Sequence, residues 1–208
     1  MKDHSDLCKI SQITDNIFLS GIFPLEEDVE IIKRLNIKYI LACIDRNYIS
    51  TIHDNVMIHN PDITILYLPY NDDTQQNLWI TNNGIIQMSK YPKSTDEFNE
   101  LTLQLNIYKN KPLIEIGYHF INNAVMSNKN ILVHCMAGIS RSVSLVSYFL
   151  MKRYGLPFNQ VINSIKTKRI IANPNDSFKL QLSQYQQKKD KFSELDANNI
   201  IHQFKYIS

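Results

Sequence analysis

The stretch His134–Ser142 reads HCMAGISRS. Upstream of it, Ile131–Val133 is a short apolar run of the buried-strand type. Downstream, Ser142–Tyr154 carries strong helical patterning, and Gly155 can terminate that helix. A strand therefore delivers Cys135 to a loop with five residues before Arg141, and a helix begins at once. The order strand, cysteine loop, helix predicts an anion site at a helix N-terminus.

Each residue of the loop has a physical task in such a site. A thiolate is a strong nucleophile, and a cysteine pKa of about 8.5 falls to roughly 3.5–7.5 near a helix N-terminus and positive charge. The backbone N–H groups of Met136, Ala137, Gly138, Ile139, Ser140 and Arg141 can ring three phosphate oxygens. Gly138 permits the tight curl, and Ala137 keeps the wall small. The Arg141 guanidinium can grip two phosphoryl oxygens at once and tighten as charge moves onto them. Ser142 can donate to the Cys135 sulfur and help it leave a phosphocysteine. His134 is expected to order the loop by hydrogen bonds, not to act as an acid or base.

Outward from the loop, the apolar runs Ile37–Ile44 (IKYILACI) and Ile63–Leu68 (ITILYL) have strand length and are rich in β-branched residues. Such near-continuous runs suit strands covered on both faces. Gln12–Gly21 reads as a short strand pair turning at Thr14-Asp15-Asn16. Helices are predicted over Leu25–Leu35, Leu113–Met126, Ser142–Tyr154, Phe158–Lys168 and Ser177–Lys189. Strands alternating with helices predict an α/β fold, a mostly parallel central sheet flanked by helices.

HCMAGISRS resembles the HCxxGxxRS/T loop of the cysteine-based protein tyrosine phosphatases, and its AGxSRS form is similar to the dual-specificity branch. NIFLSG, ILAC, DDTQQNL and RIIANPNDSFKLQL fall in the order that the resemblance implies, over most of Ser11–Lys189. It implies a protein tyrosine phosphatase-like fold and hydrolysis of phosphotyrosine, with phosphoserine/threonine, through a phosphocysteine intermediate. It also implies a general acid on a loop before the signature strand. Counting back from Asn77-Leu78 favours Asp72, which is taken as the acid; counting from Thr74-Gln75 favours Asp73, the alternative. Asn175, in NPND, would brace the phosphate loop or simply cap the next helix. Cys43 closes ILAC, where some relatives carry a second cysteine. It is read either as a small buried hydrophobe or as a reversible disulfide partner of Cys135.

The resemblance divides the chain into an arm at 1–10, a phosphatase-like domain at 11–190 and a tail at 191–208. Trp79–Lys111 is an insertion relative to compact relatives. Phe98, Leu101 and Leu105 share a helical face within it, and it would be either a wall or lid beside the site or a surface decoration. The basic residues Lys152, Arg153, Lys166, Lys168 and Arg169 read as a solvated face, with Lys168 or Arg169 able to recruit acidic phosphopeptides. The apolar end of Ala197–Ser208 would pack on the domain or on a second subunit, so a homodimer through the tail or the insertion is one expected arrangement. Viral members of the branch are similar in size, and the Asn/Ile/Lys-rich composition would suit an insect virus such as a baculovirus.

A net charge of +2 is too small to mark nucleic acid or a membrane as the main partner, so the expected partner is a phosphorylated protein. Three cysteines at wide spacings, with no CxxC pair, indicate neither a structural zinc site nor a disulfide framework. No metal and no organic cofactor is expected. The first residues lack the apolar run of a signal peptide, which predicts an intracellular setting, cytoplasmic or nuclear. Two rivals remain at this level: an RNA 5′-phosphatase, disfavoured by the uncharged Met136, Ala137 and Ile139, and a phosphoprotein-binding scaffold with little turnover, disfavoured because Cys135 and Arg141 are both present.

Overall fold

The β-branched runs assemble side by side, because strands apolar on both faces can be buried only between two layers of helices. The computed structural model describes residues 4–186. In chain order its elements are α1 (His4–Leu7), β1 (Ser11–Gln12), β2 (Ile17–Ser20), α2 (Phe23–Glu27), α3 (Ile31–Arg34), β3 (Ile37–Ala42), a 3-10 turn at Arg46–Tyr48, α4 (Ser50–His59) and β4 (Thr64–Tyr67). Then follow β5 (Gln87–Ser89), α5 (Thr95–Ile107), α6 (Leu113–Met126), β6 (Asn130–His134), α7 (Arg141–Tyr154), α8 (Phe158–Lys168) and α9, described over 176–186.

The six strands form one mixed sheet in the order β1-β2-β6-β3-β4-β5. The four central strands β2, β6, β3 and β4 are parallel, and β1 and β5 run antiparallel at the two edges. Side chains alternate between two cores. Ile17, Leu19, Leu41, Leu66, Ile131 and Val133 face the layer that holds α6, α7 and α8. Phe18, Ile40, Ile65 and Leu132 face the opposite layer, which holds α4. Each such side chain contributes about 1.5–3 kcal/mol when fully buried, so neither face tolerates a one-residue slip of register. His134 ends β6 in register with Ser20 of β2 and Ala42 of β3, so Cys135 leaves the sheet at the middle of its carboxyl edge. In open α/β sheets that edge is where ligands bind.

Several expectations need correction. Leu25–Leu35 is not one helix. Asp28 takes extended backbone (φ −155°, ψ 91°) after α2, its carboxylate accepts the Glu30 N–H at 3.1 Å and it pairs with Arg34. A short acidic side chain that satisfies the backbone locally competes with helix continuation, and α3 starts afresh. Helix α4 was not anticipated. It buries only His53, Val56 and Met57, one of them polar, so its helical period is faint in sequence.

The middle of the insertion is carried away from the site, although its first residue, Trp79, stacks on Tyr185 of α9 beside the acid loop. Strand β5 descends beside β4, from Gln87 opposite Tyr67 to Ser89 opposite Ile65. Helix α5 therefore begins at the amino edge of the parallel strands, the pole opposite Cys135, where Lys93 pairs with Asp62 just ahead of β4. Phe98, Leu101 and Leu105 share one face of α5 as predicted, but only Leu101 and Leu105 are half-buried there, whereas Phe98 is 56% exposed. Asn82 anchors the segment: its side chain accepts the N–H groups of Gly84, Ile85 and Ile86 and donates to the Tyr108 carbonyl. The expectation for the apolar tail lies outside the described residues.

Candidate active site

The carbonyls of the signature loop account for its shape. Six successive carbonyls each accept a donor from outside the curl. Cys135 O takes the His134 Nδ1–H at 3.2 Å, Met136 O the Ile22 N–H at 3.0 Å, and Ala137 O and Gly138 O the Arg169 Nη2 and Nε groups at 3.0 and 2.7 Å. Ile139 O takes the Asn173 N–H at 2.8 Å, and Ser140 O takes both the N–H and the hydroxyl of Ser144 at 2.9 Å. With every carbonyl held outward, the alternating backbone turns N–H groups toward the centre, which is the geometry of an anion cradle. Gly138 makes the curl possible. Its φ is +66°, and a Cβ there would lie 2.3 Å from the Ser20 carbonyl carbon.

At the centre stands the Cys135 sulfur, 1% exposed as a residue. Gly138 donates its N–H to it at 3.3 Å, and the Ser142 hydroxyl lies at 3.3 Å. The first turn of α7 follows the loop directly, which adds a helix N-terminus to this anion cradle. Arg141 gives one Nη1–H to the Tyr70 carbonyl at 3.2 Å, and its Nε–H has no hydrogen-bond acceptor. The guanidinium is thus oriented by one backbone carbonyl, with its Nε side facing the acid loop.

The two aspartates have different surroundings. Asp72 turns toward the loop: its Oδ1 accepts from the Ser140 hydroxyl at 2.6 Å and from Asn175 Nδ2 at 3.0 Å, and its Oδ2 lies 3.7 Å from Arg141 Nε. Asp73 turns away and caps its own turn, accepting the N–H groups of Gln75 and Gln76 at 2.9 and 2.8 Å. Asn175 caps the next helix as expected, but its side-chain amide reaches Asp72 on the acid loop, and the phosphate loop is met by its backbone instead. Its backbone N–H reaches Ser140 Oγ at 3.0 Å, while its Oδ1 caps the start of α9 at Phe178 N, 2.9 Å away. Gln181 of α9 clasps the acid loop from the other side, accepting from Leu78 N and donating to Gln76 O. Ser140 thereby joins the phosphate loop, Asp72 and Asn175 in one network.

Arg169 is a correction. It does not belong to a solvated basic face: it is 2% exposed, and its three donor groups go to Gly138 O, Ala137 O and Lys9 O. Its role as a surface cation was inferred from neighbours in sequence, and no local signal distinguishes it from Lys168. Truncating it as Arg169→Met strips three carbonyls of a donor, that of Gly138 fully buried and those of Ala137 and Lys9 partly so. Urea denaturation should then show a loss of roughly 2–4 kcal/mol, together with slower turnover; an unchanged midpoint would contradict this role. Cys43 is a free, buried thiol in the same core as Cys135. Burial first, and the charge of Cys135 second, hold it well above the ordinary thiol range.

Behind the loop lie two buried imidazoles. His134 is held at about 4 by burial, against an ordinary value of 6.5. Burial likewise pushes His53 well below that value, with His134 and Arg46 adding to it. The unfolded chain binds protons on both below about pH 6.5 and the folded chain does not, so stability is full above pH 6.5 and drains as pH falls toward 4. His134 alone accounts for about 3 kcal/mol of loss by pH 4. Urea midpoints measured from pH 7 to 4 should fall, and His134→Gln should flatten that slope; an equal slope in the variant would refute the assignment.

Comparison with known proteins adds to this geometry. Residues 24–188 match the family model described as dual specificity phosphatase, catalytic domain. The chain is 59% identical over 206 residues to the R622 protein of Acanthamoeba polyphaga mimivirus, which bears a tyrosine-protein phosphatase name; the match covers 99% of this chain and 97% of that protein. It is 26% identical over 189 residues to the tyrosine-protein phosphatase YVH1 of Saccharomyces cerevisiae, 90% of this chain and 46% of that protein. Over 70 residues it is 46% identical to the protein phosphatase Slingshot homolog 1 of Mus musculus, 34% of this chain but 7% of that protein. Among solved structures, DUSP15 superposes with a TM-score of 0.56 at 24% identity, covering 85% of this chain and 86% of that one. Human DUSP28 superposes with a TM-score of 0.59 at 18% identity, covering 87% and 95%.

Proposed function

Because the chain belongs to the dual-specificity phosphatase catalytic-domain family, we propose that it hydrolyses phosphotyrosine and phosphoserine/threonine in proteins through a phosphocysteine intermediate. The observation that carries the reading is the curl of six outward-held carbonyls around the Cys135 sulfur. A ring of N–H groups with a buried thiol at its centre suits a phosphoryl dianion approached from the open side.

In the first step the Cys135 thiolate attacks phosphorus while the ester P–O bond breaks. Asp72, carrying a proton, transfers it to the departing oxygen. Arg141 and the loop N–H groups hold the three equatorial oxygens, where charge accumulates. In the second step Asp72, now a carboxylate, takes a proton from water as the water oxygen bonds to phosphorus. The P–S bond breaks, and the Ser142 hydroxyl donates to the sulfur as it regains its charge. Inorganic phosphate leaves, and the cycle closes without a metal or organic cofactor. The Met136 side chain, 37% exposed next to the nucleophile, makes that part of the rim apolar, which suits a protein phosphoester better than a polyanionic RNA end. A reducing intracellular setting goes with this chemistry, because the thiol must stay free.

The test is phosphate release, with EDTA present, from phosphotyrosine and phosphoserine peptides beside triphosphate-ended RNA. Release from the peptides that survives chelation is the expected result. Activity lost on chelation, or release from RNA alone, would overturn the reading.

A further inference from the structure

His134, His53 and Tyr67 form a buried chain whose proton positions, with both rings neutral, follow from its one obligate acceptor. The Cys135 carbonyl can only accept, so the His134 Nδ1 that meets it at 3.2 Å carries a hydrogen. In the neutral ring His134 Nε2 is then an acceptor, and it meets His53 Nε2 at 3.0 Å, so His53 Nε2 must donate. That leaves His53 Nδ1 as an acceptor, and the Tyr67 hydroxyl donates to it at 3.0 Å. Ser89 and Arg46 stand at the Tyr67 phenol oxygen. Every donor in the chain points toward the nucleophile's own carbonyl, and such alignment strengthens each bond. All three residues are 1% exposed or less, so no solvent can replace a missing member.

We propose that His53 is a positioning residue for the reaction: by donating Nε2–H to His134 it locks that ring in the tautomer that holds the Cys135 carbonyl out of the phosphate cradle. Without this donor, His134 can take its other tautomer, and its Nδ1 lone pair then faces the carbonyl oxygen and repels it. The Cys135 peptide unit is released, and its negative end can swing toward the sulfur. The inference rests on the phosphatase reading above. The charged and titratable groups around the chain are Arg46, paired with Asp54 at 3.2 Å, on the α4 side, Tyr67 from β4, and His134, Cys135 and Arg141 from the signature segment. Arg46 and Arg141 are cations and disfavour protonation of the histidines, so the chain stays neutral through the working range of pH.

The experiment compares His53→Phe, His53→Gln and Tyr67→Phe with the wild type in two assays. One is kcat on p-nitrophenyl phosphate, and the other is the pH profile of Cys135 alkylation by iodoacetamide. Phenylalanine fills the space without a donor, whereas glutamine offers an N–H toward His134 and a carbonyl toward Tyr67. His53→Phe should lower kcat by roughly 10-fold, the scale of one buried acceptor left without its donor, and move the alkylation profile to higher pH. His53→Gln should restore both, and Tyr67→Phe should move the profile the same way by less. A folded His53→Phe with wild-type kcat and profile would overturn the proposal, as would a His53→Gln no better than His53→Phe. If His53→Phe does not fold, Tyr67→Phe decides: a profile moved to higher pH supports the chain, and an unmoved one overturns it. Alkylation needs no turnover, so absence of phosphatase activity in the wild type would refute the phosphatase reading and still leave this inference decided.

Discussion

Cys135→Ser is expected to abolish phosphate release while leaving the fold and phosphoester binding in place. The sulfur stands at the centre of the cradle with one N–H and one hydroxyl directed at it, donors suited to an anion. A serine oxygen fills nearly the same space, so the outward-held carbonyls and the Arg169 brace are undisturbed. Its hydroxyl, however, does not ionise under the same influences, and no base adjoins it: His134 is occupied with the Cys135 carbonyl and with His53. The loss should be on the order of 10⁴-fold or more, the scale on which removing the nucleophile acts in other covalent enzymes. Calorimetry with a phosphotyrosine peptide should find binding by the serine variant close to that of the wild type. Turnover above about one part in a hundred of wild type would reject Cys135 as the nucleophile.

The second large effect separates Asp72 from Asp73. Asp72→Asn keeps an oxygen that can accept from Ser140 and Asn175, so the loop should hold its place while the transferable proton is lost. Turnover of alkyl phosphates, whose leaving groups need that proton, should fall by roughly 10²–10⁴-fold. p-Nitrophenyl phosphate, with its acidic leaving group, should lose far less. Asp73→Asn should be nearly silent in both assays, because asparagine caps a turn as well as aspartate does. Steady-state kinetics on the two substrates checks both variants. Equal small losses in Asp72→Asn and Asp73→Asn would remove Asp72 from the mechanism, and a large loss confined to Asp73→Asn would exchange their roles.

The contrast between these two residues shows where sequence reading stops. Their positions differ by one, and counting from either side of the loop gives opposite answers. Only packing against Ser140 and Asn175, 68 and 103 residues further along, directs one carboxylate inward. The same holds for Arg169. By composition it belongs with Lys166 and Lys168, yet it is drawn under the loop by carbonyls 31 and 32 residues away. His53 sits on a helix whose period is faint because one of its three buried residues is a histidine. Its partner lies 81 residues away, and nothing local announces it.

What the sequence determined by itself is whatever neighbouring residues settle among themselves. Helices α6 and α8 match the predicted Leu113–Met126 and Phe158–Lys168 because their apolar periods run unbroken over about two turns or more. The central strands were legible because β-branched runs can be satisfied only in a covered sheet, and the signature loop because all its parts lie within nine consecutive residues. Tertiary structure alone decided the path of β5 and the start of α5 to the far pole, the direction of Asp72, the burial of Arg169 and the chain from Tyr67 to the Cys135 carbonyl. Each of those depends on which distant donor finds which buried acceptor. Unmet polar groups in a dry interior are too costly to leave, and the fold settles that pairing only once the sheet has brought the segments together.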